Sequence, residues 1–168
     1  MPKYDDASWH FDDAHSDEAC FTHIAFFYAW CVHRGLAAKD VVGETDATRK
    51  RLMDRRVSPG AYLRWVGIEK FTHNELEASG NSFAENYHTA DGYLEDYTTA
   101  FVAPAEKPPT SALFGKMKIA AKRKAMKRRN SAVTKVSTFY DVPDTWESYD
   151  HIVNTLDRRY EEWLRKGK

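Results

Sequence analysis

Cysteine is nearly absent. Cys20 and Cys31 are the only two in 168 residues, which excludes a disulfide framework and fits a reducing cytosol. They fall eleven residues apart on one expected helix, about 16 Å of rise against a disulfide Cα span under about 7 Å, so they cannot bridge. Cys31 reads as a core residue. No apolar run approaches the roughly 18 residues of a membrane span, and Met1 to Asp6 has none of the apolar stretch of a secretory signal. A cytoplasmic protein is expected. Glycine is sparse, with 8 in all, and Gly60, Gly67, Gly80 and Gly92 stand alone, so there is no phosphate-cradling loop. There is also no HExxH, no CxxC pair and no nucleophile elbow. The chain is therefore not expected to be an enzyme or to carry a cofactor.

Aromatics and local charge are what it has. Phe, Tyr and Trp make up 14%, which excludes disordered and collagen-like classes. A formal net charge of zero hides an asymmetry: between Pro104 and Ser137 lie ten basic residues and one acid, Glu106, a net +9 that leaves −9 on the rest. The molecule reads as an acidic body with one basic, Pro-flanked insertion at 104–137, all within a single domain spanning 1–168.

Local signals place mostly helices. Ser16 suits an N-cap, with Asp17 and Glu18 in the first turn of a helix reaching about Arg34 and stopped by Gly35. Its apolar residues surround it, which predicts the central helix. Thr45 starts a second helix through Met53 to Arg56, and Ser58-Pro59 a third. The Thr72 to Glu75 capping box predicts a short helix ending near Ser79-Gly80. Phe83, Tyr87, Ala90, Leu94, Tyr97 and Phe101 predict one helix of about five turns with Gly92 as its weak point. A thin stripe makes Phe114 to Arg129 a weaker helix, and Ala132 to Tyr140 alternates like a short strand. Asp144 and Glu147 resemble a capping box opening a long helix on Trp146, Tyr149, Val153, Leu156, Tyr160 and Trp163. The fold class is mainly α: a compact helical bundle with at most a short strand or hairpin.

Two segments stand out chemically. The first is the amino-terminal arm, with Asp5, Asp6, His10, Asp12, Asp13 and His15 followed by Cys20 and His23. Histidines and carboxylates could hold a divalent cation, but the spacing matches no metal signature, so no metal is expected and the acids read as a cap on the first helix plus solvated charge. The second is Lys116 to Arg129. Its Lys122, Arg123, Lys124, Lys127, Arg128 and Arg129 could grip an anion such as a nucleic-acid backbone. No aromatic interleaves after Phe114, which argues against base stacking.

Several strings together resemble a known family: Lys3-Tyr4-Asp5-Asp6-Ala7-Ser8-Trp9-His10, Thr22-His23-Ile24, Ala29-Trp30-Cys31, Arg34-Gly35-Leu36, Ser58-Pro59-Gly60-Ala61-Tyr62-Leu63, Gly80-Asn81-Ser82-Phe83-Ala84, Tyr93-Leu94-Glu95-Asp96-Tyr97 and Asp144-Thr145-Trp146-Glu147-Ser148-Tyr149-Asp150. The family is one of small bacterial proteins described only as a domain of unknown function. The likeness covers most of the chain outside the basic segment, and it implies that this segment is an elaboration of one member. Such proteins are similar in size and setting to the immunity partners of bacterial polymorphic toxins. The resemblance therefore implies a protein-binding module that neutralises a toxin. Asp5, Asp6, Trp9, Asp12 and Asp13 are the expected partner-binding residues, since acids beside an aromatic suit a basic active site. A nucleic-acid-associated protein using 116–129 is the alternative, and a metal-dependent enzyme using the arm's His/Asp cluster the third reading.

Overall fold

The computed structural model describes residues 2–89, 92–104 and 135–167. The expected basic helix within Phe114 to Arg129, and with it Lys122, Arg123, Lys124, Lys127, Arg128 and Arg129, lies outside the described residues. Those that are described form six α-helices and one two-stranded antiparallel pair, with short 3-10 turns between them. The fold is mainly α, as the patterning implied. No helix among the described residues is long and apolar enough to cross a membrane.

Helix α1 (Thr22–His33) is the core. Every residue from Thr22 to Val32 is buried, as the all-round apolar pattern demands. A 3-10 turn, Glu18–Phe21, leads into it, where Ser16 Oγ accepts the Ala19 N–H at 3.3 Å. The helix stops at Gly35, whose φ of +68° is the left-handed conformation that favours glycine. Helix α2 (Asp46–Met53) begins at a Thr45/Thr48 capping box. Helix α3 (Pro59–Val66) has Ser58 at its N-cap and Pro59 at its first position.

The start of α3 is also capped from far along the chain. The Asp144 carboxylate accepts from the N–H of Gly60 at 2.7 Å, the N–H of Ala61 at 3.0 Å and the Ser58 hydroxyl at 2.6 Å. Asp144 therefore does not open the last helix, as the local pattern suggested. Thr145 does, accepting the Ser148 N–H at 3.2 Å. Gly60 is required for this approach, because a Cβ there would sit 2.6 Å from Asp144 Oδ2.

Helix α4 (Ala78–Tyr87) differs from expectation. The Thr72 box closes only a single 3-10 turn, His73–Glu75, and α4 then runs through Gly80 instead of ending there. Gly80 is where α4 crosses the segment after α1: a Cβ would meet the Leu36 carbonyl oxygen at 2.5 Å. The long helix expected to reach Phe101 is two helices. Helix α5 (Gly92–Phe101) is separate from α4, and its buried row is Tyr93, Tyr97 and Phe101 in place of Leu94. A four-residue step keeps these three on one ridge, so the row slips by one residue at the break.

Helix α6 (Trp146–Arg165) buries Ser148, Tyr149, Ile152 and Leu156 against the core, with Trp146, Val153, Tyr160 and Trp163 half-buried along its edges. It is tied to α1 by Trp30 Nε1, which donates to Asp157 at 2.7 Å. The expected strand at 132–140 is not formed by its described part. Val136 makes one isolated bridge to Val102, and Phe139–Asp141 is a 3-10 turn.

Strand β1 (Lys3–Asp6) pairs with β2 (Lys70–Thr72), Lys3 opposite Thr72 and Asp6 opposite Lys70. The partners are far apart in sequence, so this is a clasp holding the amino-terminal arm onto the helices, not a hairpin.

Candidate functional site

The arm has an inner and an outer side. β1 turns Tyr4, Asp5 and Asp6 inward. Tyr4 lies on Phe71, ring centroids 5.4 Å apart, and its hydroxyl donates to Asn81 Oδ1 at 2.7 Å. Asp6 then caps a 3-10 turn, Ala7–His10, accepting from the N–H and hydroxyl of Ser8, with Lys3 Nζ 2.8 Å from its other oxygen. That turn swings His10 back over the strand.

Asp5 stands at the centre. Its Oδ1 accepts from the Asp6 N–H at 2.8 Å and lies 2.9 Å from His10 Nε2. Its Oδ2 lies 3.3 Å from His23 Nε2 and 3.9 Å from His88 Nε2. The nitrogens of His10 and His23 are 3.2 Å from each other. The four groups come from different elements: β1, the 3-10 turn, the start of α1 and the residue just past α4. Asp5, His23 and His88 are 7%, 2% and 8% exposed, so only His10 reaches the rim. One ligand atom each from Asp5, His10 and His23 falls within a mutual 4.8 Å.

Aromatic packing fixes these rings. His23 meets His10 edge-on at 4.5 Å and Phe139 at 5.4 Å. The Tyr93 hydroxyl donates to the His23 carbonyl at 2.6 Å. His88 sits edge-on to Phe27 at 4.9 Å. His10 Nδ1 is 3.0 Å from the Tyr140 hydroxyl, which burial pushes up to about 12 and so keeps protonated. Two buried ring nitrogens here, His23 Nδ1 and His88 Nε2, have no hydrogen-bond partner among the described residues.

Burial opposes the charge on Asp5, but the hydrogen bonds from His10 and His23 outweigh it and hold the carboxyl far below the ordinary range. Burial lowers His23 despite Asp5, and brings His88 down to about 4. At neutral pH the two buried imidazoles, His23 and His88, are therefore uncharged beside the Asp5 carboxylate.

The outer side carries Trp9 and Phe11, 57% and 52% exposed. Lys3 Nζ lies 5.0 Å over the Trp9 ring. Asp12 and Asp13 are exposed beside them. The five residues expected to face a partner are thus divided. Trp9, Asp12 and Asp13 are at the surface, whereas Asp5 and Asp6 are buried and already engaged. Asp12, Asp13, His15 and Cys20 do not join the Asp5 group: His15 turns to Asp141 at 3.5 Å, and Cys20 is buried under Ser16. Sequence reasoning missed His88 and Tyr140. A lone histidine off the period of an aromatic stripe and a tyrosine before the last helix carry no spacing signal.

A family model described as a domain of unknown function, DUF7832, matches residues 3–109. No curated protein and no solved structure matches. The matched span holds Asp5, His10, His23 and His88, and it ends before Tyr140 and Asp144.

Proposed function

As the chain belongs to the DUF7832 family, whose description carries no activity, we propose from its surface that it is a protein-binding module, an immunity-type inhibitor that captures a basic toxin through the outer side of its amino-terminal arm. The observation that carries this is the pair of exposed aromatics, Trp9 and Phe11, set beside exposed Asp12 and Asp13. Large aromatics left in water are the residue type that anchors interfaces, and here, unlike at the exposed Trp65, two stand together beside acids. Acids around them steer a cationic partner and raise association above the roughly 10⁵–10⁶ M⁻¹s⁻¹ of uncharged docking. The arm is clasped by β2, so the aromatics are presented at little ordering cost.

The test is rescue of growth when the toxin domain encoded beside this chain is expressed with it. Wild type rescues. With purified toxin, charge reversal at Asp12 and Asp13 slows association, and Trp9→Ala speeds dissociation by about 30-fold, the equivalent of roughly 2 kcal/mol at a hot spot. Failure of the wild-type chain to rescue growth refutes the reading.

A further inference from the structure

The inner side of the same arm holds a second site. We propose that Asp5, His10 and His23 bind a divalent transition-metal ion of the zinc class, that His88 closes the fourth position, and that the ion fastens the arm to α1 and α4. This stands apart from the partner reading.

The distances are the first argument. Zinc takes histidine nitrogen and carboxylate oxygen at about 2.0–2.2 Å in a tetrahedron, which puts neighbouring ligand atoms about 3.3 Å apart. The contacts here are 2.9 Å for His10 with Asp5 Oδ1, 3.2 Å for His10 with His23, and 3.3 Å for His23 with Asp5 Oδ2, and one ligand atom from each residue lies within a mutual 4.8 Å. None exceeds that edge length, so an ion would hold the groups at or slightly beyond their present separations.

Proton bookkeeping is the second. Suppose the two Nε2 atoms carry protons and both donate to Asp5: two N–H groups then crowd each other at 3.2 Å. Suppose instead that one is a lone pair: it then faces a carboxylate oxygen. A like-signed pair remains in either case, and a cation at the centre removes it.

His88 is the third and independent observation. It is more than nine-tenths buried, its Nε2 has no partner among the described residues, and that atom lies 3.9 Å from Asp5 Oδ2. An unpaired nitrogen at that depth carries a desolvation penalty, which a fourth coordinate bond would cancel once the ring moves inward, since His88 stands outside the mutual 4.8 Å of the other three.

The surrounding groups suit this chemistry. A ligating histidine normally fixes its other nitrogen through an outer partner, and His10 Nδ1 has the Tyr140 hydroxyl at 3.0 Å. The Asp6 N–H orients Asp5. Imidazole with a carboxylate favours zinc, cobalt or nickel over calcium or magnesium. Since only His10 reaches solvent, the centre is of the closed, structural kind, without an open position for a substrate.

Full-length protein stripped with chelator and titrated with Co²⁺ tests this. One equivalent should give the visible absorption of a tetrahedral site, and Zn²⁺ should displace it. Zinc at a hundredfold excess over its Kd should raise the melting temperature by roughly 5 °C or more. His10→Asn, at the rim, should weaken binding by about 100-fold while the circular dichroism stays native, and His88→Phe should weaken it by at least tenfold. His15→Asn should leave it unchanged. The proposal is overturned if folded wild type gives no stoichiometric cobalt band at 100 µM, or if both His10→Asn and His88→Phe bind within twofold of wild type. Loss of binding in His15→Asn with His10→Asn unaffected would also overturn it. Should His10→Asn fail to fold, His88→Phe and the cobalt spectrum of wild type decide.

Discussion

Gly60→Ala should be destabilising in the wild-type chain and neutral to stabilising once Asp144 is gone. Glycine near a helix start is ordinarily improved by alanine, by up to about 1 kcal/mol. Here the added Cβ would lie 2.6 Å from Asp144 Oδ2 and 2.7 Å from its Cγ, so the carboxylate must leave. It then surrenders the N–H groups of Gly60 and Ala61 and the Ser58 hydroxyl. Net hydrogen bonds to a charged group contribute about 1.5–3 kcal/mol and a lost cap about 0.5–2. Ser58 Oγ still faces the Ala61 N–H at 3.4 Å, so the full sum is not lost. Asp144→Ala should therefore cost about 2–4 kcal/mol, a fall in melting temperature of roughly 5–15 °C. Gly60→Ala should cost about 1–3 kcal/mol in wild type. In the Asp144→Ala background it should cost nothing or gain up to about 1 kcal/mol. Urea unfolding of the four proteins gives the coupling energy. If Gly60→Ala has the same effect in both backgrounds within about 0.5 kcal/mol, the cap across the fold is not formed as described.

Two further outcomes are expected. Burial opposes the charge on Asp96, yet the Arg159 guanidinium at 2.6 and 2.8 Å and the Tyr87 hydroxyl hold its carboxyl below the ordinary range. A folded value below the unfolded one stabilises above the unfolded value, about 3.9, and is lost as pH falls through the folded value. The stability gap between wild type and Asp96→Asn should thus be present at pH 7 and shrink below about pH 4; a gap of equal size at pH 3 and pH 7 in urea titrations counts against the ion pair. If the 116–129 run engages nucleic acid, duplex binding should weaken steeply with salt, with a log–log slope near −0.9 per phosphate neutralised, and replacing Lys122, Arg123, Lys124, Lys127, Arg128 and Arg129 with Gln should abolish it. No binding at low salt disposes of that role.

Local chemistry made much of this fold legible. Thr45, Ser58-Pro59 and Gly35 act within one turn of themselves, and α1 is apolar on every side, so their signals survive without tertiary context. Features that depend on a distant partner were misread. Asp144 has the look of a cap for α6, but its carboxylate is used across 84 residues at Gly60. Gly80 looks like a helix end, but its missing side chain makes room for Leu36. The stripe from Phe83 to Phe101 runs on in the sequence, but it spans two helices, and Tyr93 takes the buried place that the period gives to Leu94. At the site, periodicity could find His10 and His23 only as separate residues. Convergence on Asp5 is made by the β1–β2 clasp and the turn that follows, and spacing along a chain does not encode it.

The remote cap on α3 bears on how the chain acquires its structure during synthesis. The residues that neutralise α3's exposed amides, cover Trp30 and meet His10 are Asp144, Asp157 and Tyr140, all near the carboxyl end. A nascent chain can form α1 through α5 as soon as they emerge, but α1, apolar on every face, then lacks α6. Until the last helix is released the growing polypeptide exposes its stickiest segment, and closure must wait for loops of more than 80 residues. Such distant pairing is slow for a helical protein. Folding of this chain is therefore committed late, and premature termination before Asp144 would leave a translation product prone to aggregation.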